Sequence, residues 1–553
     1  MSSDYHAMEQ GHPYGVQPMG NAYSISSVTG RQEHDDDSDT CTKQTQTNHD
    51  TRGSGLGPFF KGFNDLQILE FLEFLDGPEL ARLSQCSQAW YAFCHHNDLW
   101  KQLFFKEWDD TEFDFEDCWK ISYIKRRLRK RGLPELAETI RHKRLKVRNM
   151  FSDILYQPFL CASMPIQDAW VDNGEDVERV SAHSLSIEEF RSRFENPNRP
   201  VIITDLVTKW PAYQKWNRRY LLELYGDTVF SCGHYDLPLK KYFEYSDAAE
   251  RGADDQPLYL FDKIFPRKDR APGLAKDYDV PEYFSEDLFS LLGEAAGDIE
   301  PNYVTGNGEF RPDYRWLIVG PAKSGSVFHI DPNATSAWNA VIRGSKRWIL
   351  YPPEFGAPPG VHVSEDGADV ATPMAITEWY ASFFSNHQRL KRQTQQTGTN
   401  GPLECTVREG ELLFVPHHWF HQALNLESDT IAVTQNYVSS VNLPFVLEFL
   451  KNKPGQVSGL PNEEDGKHLH QRFLVELQQK CPAIHQSLEE DKNNREAERK
   501  SKRERQGIIV KASWNTLVHG EQQNGGDEAV KKHKEDSAED KKSSGSFSFN
   551  FTL

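Results

Sequence analysis

Hydrophobic positions change their spacing along the chain, and each change predicts a different kind of element. From Phe63, the residues Ile68, Phe71, Leu72 and Leu75 fall at i, i+3, i+4 and i+7. Gly77 and Pro78 interrupt the run, and Cys86, Trp90, Phe93 and Cys94 resume it. That spacing puts the side chains on one face of a helix, so a small all-α domain is predicted over 57–108. From about Val177 to Leu460 the period shortens toward two. Pro200–Thr204, Pro257–Phe261, Arg315–Val319, Arg347–Tyr351, Glu411–Val415 and Thr430–Val438 are short runs of β character punctuated by Gly and Pro. Many such strands predict a mainly β sandwich or barrel over 176–460, with helices such as Ser186–Phe194 in its first part. Helical spacing returns at Leu469, Phe473 and Leu477, giving a helical extension over 461–510. Residues 1–56 and 511–553 lack aliphatic periodicity and are predicted to be disordered tails, because they cannot bury enough apolar surface to order themselves.

A length of 553 residues suits two to four domains. Charge sharpens the picture more than length does. The 63 Lys and Arg against 82 Asp and Glu give −19 overall, but Lys120 to Arg148 holds twelve Lys or Arg against Glu135 and Glu138, a local +10. This marks 109–175 as a basic helical linker. Its run Lys125 to Arg131 is expected to serve nuclear import, with weak RNA contact second and a solvated helix face as the plain alternative. The 8 cysteines contain no CxxC pair, which fits a reducing compartment and argues against a cysteine-based zinc module. No stretch approaches the roughly 18 apolar residues that a membrane span needs, and no secretory leader is visible at Met1 to Asn21, so no membrane partner is expected.

The chemistry is expected at a His-x-Asp pair. Iron that activates oxygen takes two histidines and one carboxylate on one face of its octahedron and leaves the other positions open. Four copies of the pair occur: His34 with Asp36, His96 with Asp98, His234 with Asp236, and His329 with Asp331. The first lies in an acidic tail, the second in the helical domain, and the third has no obvious later partner. His329 and Asp331 follow a β run and a Ser-Gly-Ser turn, where period two puts both on one face. Among His417, His418 and His421, the last opens the next strand and is preferred as third ligand, with His418 as fallback. Lys346 shares its strand face with Trp348 and Leu350, so it needs an anionic partner or a route to solvent. Thr434 and Asn436 share a face on another strand, and Tyr259 and Asn339 are further donors.

The run Ser324-Gly-Ser-Val-Phe-His329-Ile-Asp331-Pro-Asn-Ala-Thr-Ser-Ala-Trp338-Asn339 to Lys346-Arg-Trp348, then Pro416-His-His-Trp-Phe-His421 and Thr434-Gln-Asn436, closely resembles the JmjC-domain oxygenases. Within them it is similar to the arginine-demethylase and lysyl-hydroxylase branch once described as phosphatidylserine receptors. The likeness spans roughly 176–455. It implies a double-stranded β-helix, a cupin-like jelly roll with flanking helices, that holds Fe(II) through His329, Asp331 and His421. It further implies 2-oxoglutarate and dioxygen as co-substrates, with Lys346, Thr434, Tyr259, Asn339 and Asn436 as the 2-oxoglutarate-binding set. The implied activity is hydroxylation or demethylation of lysine or arginine side chains in proteins such as histones or RNA-associated factors, in the nucleus and secondarily the cytoplasm. Leu66, Leu69, Phe74-Leu75-Asp76, Leu80, Leu83, Trp90 and Leu99-Trp100 resemble an F-box, which implies docking of residues 63–108 onto a Skp-type adaptor of a cullin ubiquitin ligase. The alternative function is then a substrate adaptor whose JmjC-like barrel only recognises its target. The three helices could equally pack on the oxygenase domain as a structural prefix.

Overall fold

The computed structural model describes residues 11–19, 51–108, 113–141, 143–172, 174–233, 235–295 and 311–490. Helices begin where capping residues stand three apart. Asn64 with Gln67 and Asp76 with Glu79 each close a capping box, starting Asp65–Glu73 and Gly77–Leu83. Gln88–Phe93 and Asn97–Glu107 follow, and the four helices bury Ile68, Leu72, Leu80, Phe93 and Trp100 completely.

Residues 109–175 carry the helices Trp119–Lys130, Pro134–Thr139, Asp153–Ser163 and Asp168–Val171 joined by irregular segments, and they pack into the fold rather than linking two parts of it. Helix Trp119–Lys130 inserts Trp119 and Tyr123 into the same apolar cluster as Trp100 and Phe104. That cluster continues without a break into Phe230, Tyr242 and Tyr245 of the following domain. Asp254 ties three segments together, accepting from Lys101 Nζ (3.0 Å), Trp119 Nε1 (2.9 Å) and the Tyr245 hydroxyl (2.8 Å). The four N-terminal helices thus pack as one body with the domain that follows, as a structural prefix would.

The run Lys125 to Arg131, expected to serve nuclear import or RNA contact, is largely engaged within the fold. Lys125 and Arg126 are buried on the inner face of their helix. Lys125 pairs with Glu116, Arg127 with Glu107 (2.8 Å), and Arg129 with Glu116 (2.8 Å) and Glu138 (2.6 Å). Nor are residues 1–56 structureless throughout. Helix Thr51–Phe60 is formed, and Gln17 bridges Phe151, with its N–H on the Met150 carbonyl (2.9 Å) and its carbonyl receiving the Ser152 N–H (3.0 Å). A single buried valine, Val16, helps anchor this segment, too little apolar pattern to announce it in the sequence. The rest of 1–56, the tail 511–553 and residues 491–510 of the helical extension lie outside the described residues, as do His34, Asp36 and His234.

The strands are β1 (Arg179–Ser181), β2 (Val201–Thr204), β3 (Val229–Cys232), β4 (Tyr235–Pro238), β5 (Leu260–Asp262), β6 (Arg315–Gly320), β7 (Gly325–His329), β8 (Ser336–Arg343), β9 (Ser345–Tyr351), β10 (His362–Val363), β11 (Val370–Ala371), β12 (Leu403–Arg408), β13 (Leu412–Val415), β14 (Phe420–Asn425) and β15 (Thr430–Tyr437). Nine form a large sheet in the order β1-β2-β13-β8-β15-β6-β5-β3-β4, and four form a smaller one, β12-β9-β14-β7. The quartet β13-β8-β15-β6 faces that smaller sheet, which is the double-stranded β-helix that the strand pattern and the resemblance led us to expect.

Alternation assigns each side chain to a layer. On β8, Trp338, Ala340 and Ile342 join the outer cluster under the helices, whereas Ala337 and Val341 join Trp348 and Leu350 of β9 and Leu413 and Val415 of β13 inside the barrel. Burying each such leucine or valine stabilises the barrel by roughly 1.5–3 kcal/mol. Polar groups on the inward register are therefore surrounded by apolar ones, and they are few: Asn339, Lys346 and Thr434 among them. Helix Ile376–Thr397 covers the outside of the small sheet, and helices Leu443–Asn452 and Glu463–Lys480 close one end, where Leu469, Phe473 and Leu477 are buried as their spacing predicts.

Candidate active site

His329 is the last residue of β7, and the antiparallel register sets it directly opposite His421, the second residue of β14. Their ring centroids are 4.2 Å apart. Asp331 lies two residues beyond the strand end, where still-extended backbone (φ −57°, ψ 139°) turns its carboxylate back toward both rings. Asp331 Oδ1 is 4.0 Å from His329 Nε2 and 3.9 Å from His421 Nε2. Among the described residues this is the one group of three or more His, Cys, Asp or Glu side chains able to hold a metal ion. His96, Asp98 and Asp236 belong to no such group, and His34, Asp36 and His234 lie outside the described residues.

The tautomers are fixed by backbone carbonyls, which can only accept. His329 Nδ1 donates to the Val327 carbonyl (2.8 Å) and His421 Nδ1 to that of Trp419 (3.0 Å), so both Nε2 lone pairs point to the centre. Burial, and next the His329 charge, push His421 well below its ordinary value and keep it a neutral ligand. Burial raises the Asp331 carboxyl to about 6, against the pull of His329 and a hydrogen bond from Asn436. Asp331 Oδ2 is buried without a hydrogen-bond partner. A buried carboxylate with one oxygen left without a donor, two imidazole lone pairs aimed at the same centre and, among the described residues, no fourth protein ligand are what a facial two-histidine, one-carboxylate iron site requires.

Lys346 lies further inside. It is 1% exposed, and its Nζ donates to the Tyr259 hydroxyl (2.9 Å). Burial alone lowers its amine to about 7. Among the described residues no carboxylate is paired with it, so the counter-charge to its ammonium form would come from a ligand. Tyr259 is raised well above its usual range by burial, and its hydroxyl also bonds Asn425 and Ser326. Asn339 and Thr434 are cross-strand neighbours on β8 and β15; the Thr434 hydroxyl donates to the Trp338 carbonyl (2.8 Å), and Asn339 Oδ1 has no partner. Asn436 belongs to the metal end instead, its amide donating to Thr335 Oγ1 (2.9 Å) beside Asp331.

Sequence reasoning missed Asn425, Ser324 and Ser326. Asn425 is the register partner of Lys346 across β14 and β9, and its Nδ2 donates to Ser324 Oγ (2.9 Å). Only the strand pairing exposes that relation. Gly320 makes room for them: a Cβ there would lie 2.3 Å from Ser324 Oγ, 2.5 Å from Asn425 Nδ2 and 2.8 Å from the Tyr259 ring.

A double-stranded β-helix with this triad at one end and a buried lysine within defines the cupin-like JmjC oxygenases, and the chain belongs to that iron- and 2-oxoglutarate-dependent family. A cupin-like domain matches residues 187–442 and an F-box-like domain residues 66–106. Over 476 residues the chain is 38% identical to the arginine-specific demethylase JMJ22 of Arabidopsis thaliana, covering 86% of this chain and 83% of that protein. It is 36% identical over 283 residues to the bifunctional arginine demethylase and lysyl-hydroxylase psr-1 of Caenorhabditis elegans (49% of this chain, 64% of the relative). It is 34% identical over 388 residues to the lysine-specific demethylase JMJ21 of Arabidopsis thaliana (68% and 36%).

Proposed function

We propose that this protein oxidises basic side chains of proteins, with N-methylated arginine as the first substrate and the lysine side chain as the second. The observation that carries the reading is the pairing of the His329–Asp331–His421 triad with a buried lysine that has no anionic partner among the described residues. Iron held by the triad, with 2-oxoglutarate and dioxygen, supplies the oxidant that replaces a substrate C–H bond by C–OH, with succinate and carbon dioxide as co-products. On an N-methyl group the resulting hemiaminal breaks down to formaldehyde and the demethylated nitrogen; on a lysine carbon the alcohol persists. Lys346 and Tyr259 bind the distal carboxylate of 2-oxoglutarate, with Thr434, Asn339 and Asn425 alongside. Asn436 steadies Asp331, and Trp348, whose ring centroid is 5.8 Å from that of His421, excludes water between the two ends. Similarity to JMJ22 across most of both chains supports arginine, and similarity to psr-1 supports lysine as well.

The test is 2-oxoglutarate binding to anaerobic protein loaded with Mn(II) or Fe(II). Wild type is expected to bind only with metal present, and Asp331→Ala to lose that metal-dependent binding. No binding by folded wild type would defeat the oxygenase reading and leave the substrate-adaptor reading ahead.

The F-box-like domain supports a second role, docking onto a Skp-type adaptor. Leu66 (56% exposed) and Phe74 (87%) present apolar surface, whereas Leu75 and Leu83 pack inward. Leu66→Asp with Phe74→Asp is expected to abolish adaptor pull-down without changing the melting temperature. Failure of wild type to retain the adaptor would sink the idea. For nuclear import the exposed cations Arg141, Lys143, Arg144, Lys146 and Arg148 replace the folded run. Arg141, Lys143, Lys146 and Arg148 have no carboxylate partner among the described residues, and Arg144 meets Asp117 at 3.4 Å. Changing Lys143, Arg144 and Lys146 to alanine is expected to move a fluorescent fusion from nucleus to cytoplasm. Any RNA contact by these five cations is expected to weaken steeply with salt.

A further inference from the structure

The turn after β7 is held from two sides, and one of the holders comes from more than a hundred residues downstream. Pro332–Ala334 form one 3₁₀ turn immediately after Asp331, and both Asn333 (φ 57°, ψ 21°) and Ala334 (φ 57°) adopt left-handed backbone. L-residues resist that conformation, asparagine less than most, and two in succession persist only where neighbours impose it. Asn333 is 2% exposed, and both polar atoms of its amide are engaged: Nδ2 donates to the Ser458 carbonyl (3.0 Å) and Oδ1 accepts the Ser458 N–H (3.2 Å). Ser458 is itself fixed. The Gly459 carbonyl accepts the Asp313 N–H (2.8 Å), and the helix that follows buries Phe473 against Phe289.

On the other side, Thr335 Oγ1 donates to the Pro332 carbonyl (2.9 Å) and accepts from Asn436 Nδ2 (2.9 Å), and Asn436 also reaches Asp331. The chain therefore leaves Asp331 into a turn pinned at both ends. Asp331 lies beyond β7, so no ladder bond fixes its direction, and its oxygen must stay about equidistant from two imidazole nitrogens.

We propose that Asn333 is a positioning residue for the metal site: its paired hydrogen bonds to Ser458 let the C-terminal segment 454–460 set the turn that aims the Asp331 carboxylate. The inference rests on the assignment of His329, Asp331 and His421 as metal ligands. Groups that orient a ligand from behind typically change metal affinity 10–100-fold when removed.

The test is Mn(II) binding to the full chain, read from the electron paramagnetic resonance signal of free Mn(II), for wild type, Asn333→Gly and Asn333→Ala. Glycine enters the left-handed region freely but lacks the amide; alanine lacks both advantages. Both variants are expected to bind Mn(II) about 10–100-fold more weakly. At saturating Mn(II) both are expected to keep a 2-oxoglutarate Kd within about twofold of wild type, because the Lys346 end is untouched. Wild-type Mn(II) affinity in Asn333→Gly would overturn the proposal, by showing that only the backbone conformation matters; should the alanine variant not fold, the glycine variant alone decides. Absence of Mn(II) binding by wild type would instead overturn the ligand assignment itself.

Discussion

Lys346→Met is expected to weaken 2-oxoglutarate binding to metal-loaded protein by on the order of 2–5 kcal/mol, roughly 30-fold to several thousand-fold. The size follows from where the charge lies. Lys346 is almost fully buried on β9, and its Nζ donates to a neutral phenol, that of Tyr259. A carboxylate entering that space loses its water and gains a desolvated ammonium; with methionine it would lose the water and gain nothing. Anaerobic calorimetry measures this directly, and an unchanged Kd would remove Lys346 from the co-substrate site.

A pH dependence accompanies the same residue. In the free protein burial holds the amine at about 7, below its ordinary 10.5. Only the ammonium form attracts the dianion, and binding raises the amine's pKa, so above about pH 7 complex formation takes up a proton. Apparent affinity is expected to fall by up to about tenfold per pH unit above 7, and that limb should be absent in Lys346→Met. Calorimetry in buffers of different ionisation enthalpy counts the protons.

Glu404→Gln is expected to destabilise the fold by about 3–5 kcal/mol, because it strands charges on the outer face of the same strand. Arg347, next to Lys346 but pointing the other way, and Glu404 are both fully buried and ion-paired. Glu404 Oε1 also accepts from His387 Nε2 (3.1 Å), Gln388 Nε2 (2.8 Å) and Lys391 Nζ (2.8 Å), all on helix Ile376–Thr397. Burial alone would raise this carboxyl, but the bonds and charges of His387 and Lys391 hold it down at about 2. A carboxyl lowered on folding contributes stability that is complete above its unfolded value near 4.5 and is lost as pH falls toward 2. Thermal unfolding should show wild type losing stability through that window and Glu404→Gln lacking the corresponding loss. Arg347→Met combined with Glu404→Leu is expected to recover part of the deficit, since a well-packed apolar pair avoids the desolvation of both charges. A Glu404→Gln protein as stable as wild type would show the cluster to be energetically idle.

Much of the molecule is written in the chain itself. The strands carrying Arg315–Gly320, Ser345–Tyr351, Leu412–Val415 and Thr430–Tyr437 fall within a residue or two of the expected runs, because each is a short β-rich stretch bounded by Gly, Pro or a polar turn. The metal triad was legible for a related reason: His329 ends one such run, His421 opens another, and their side chains have no apolar packing role to explain them. The lysine on an apolar strand face was conspicuous for the same reason.

What the sequence could not decide depends on contacts between distant segments. Basic density at Lys125 to Arg131 looks like a free cationic patch until Glu107, Glu116 and Glu138 are brought beside it by folding. Asn425 joins the lysine end, and Asn436 the metal end, only because strand register and the turn at Thr335 place them there. Asn333 gives no signal at all until Ser458 arrives opposite it. Local periodicity and side-chain chemistry act within a few residues and fix which elements form and which groups demand a partner. Pairing register and domain packing, which are properties of the closed barrel, decide which partner each one meets.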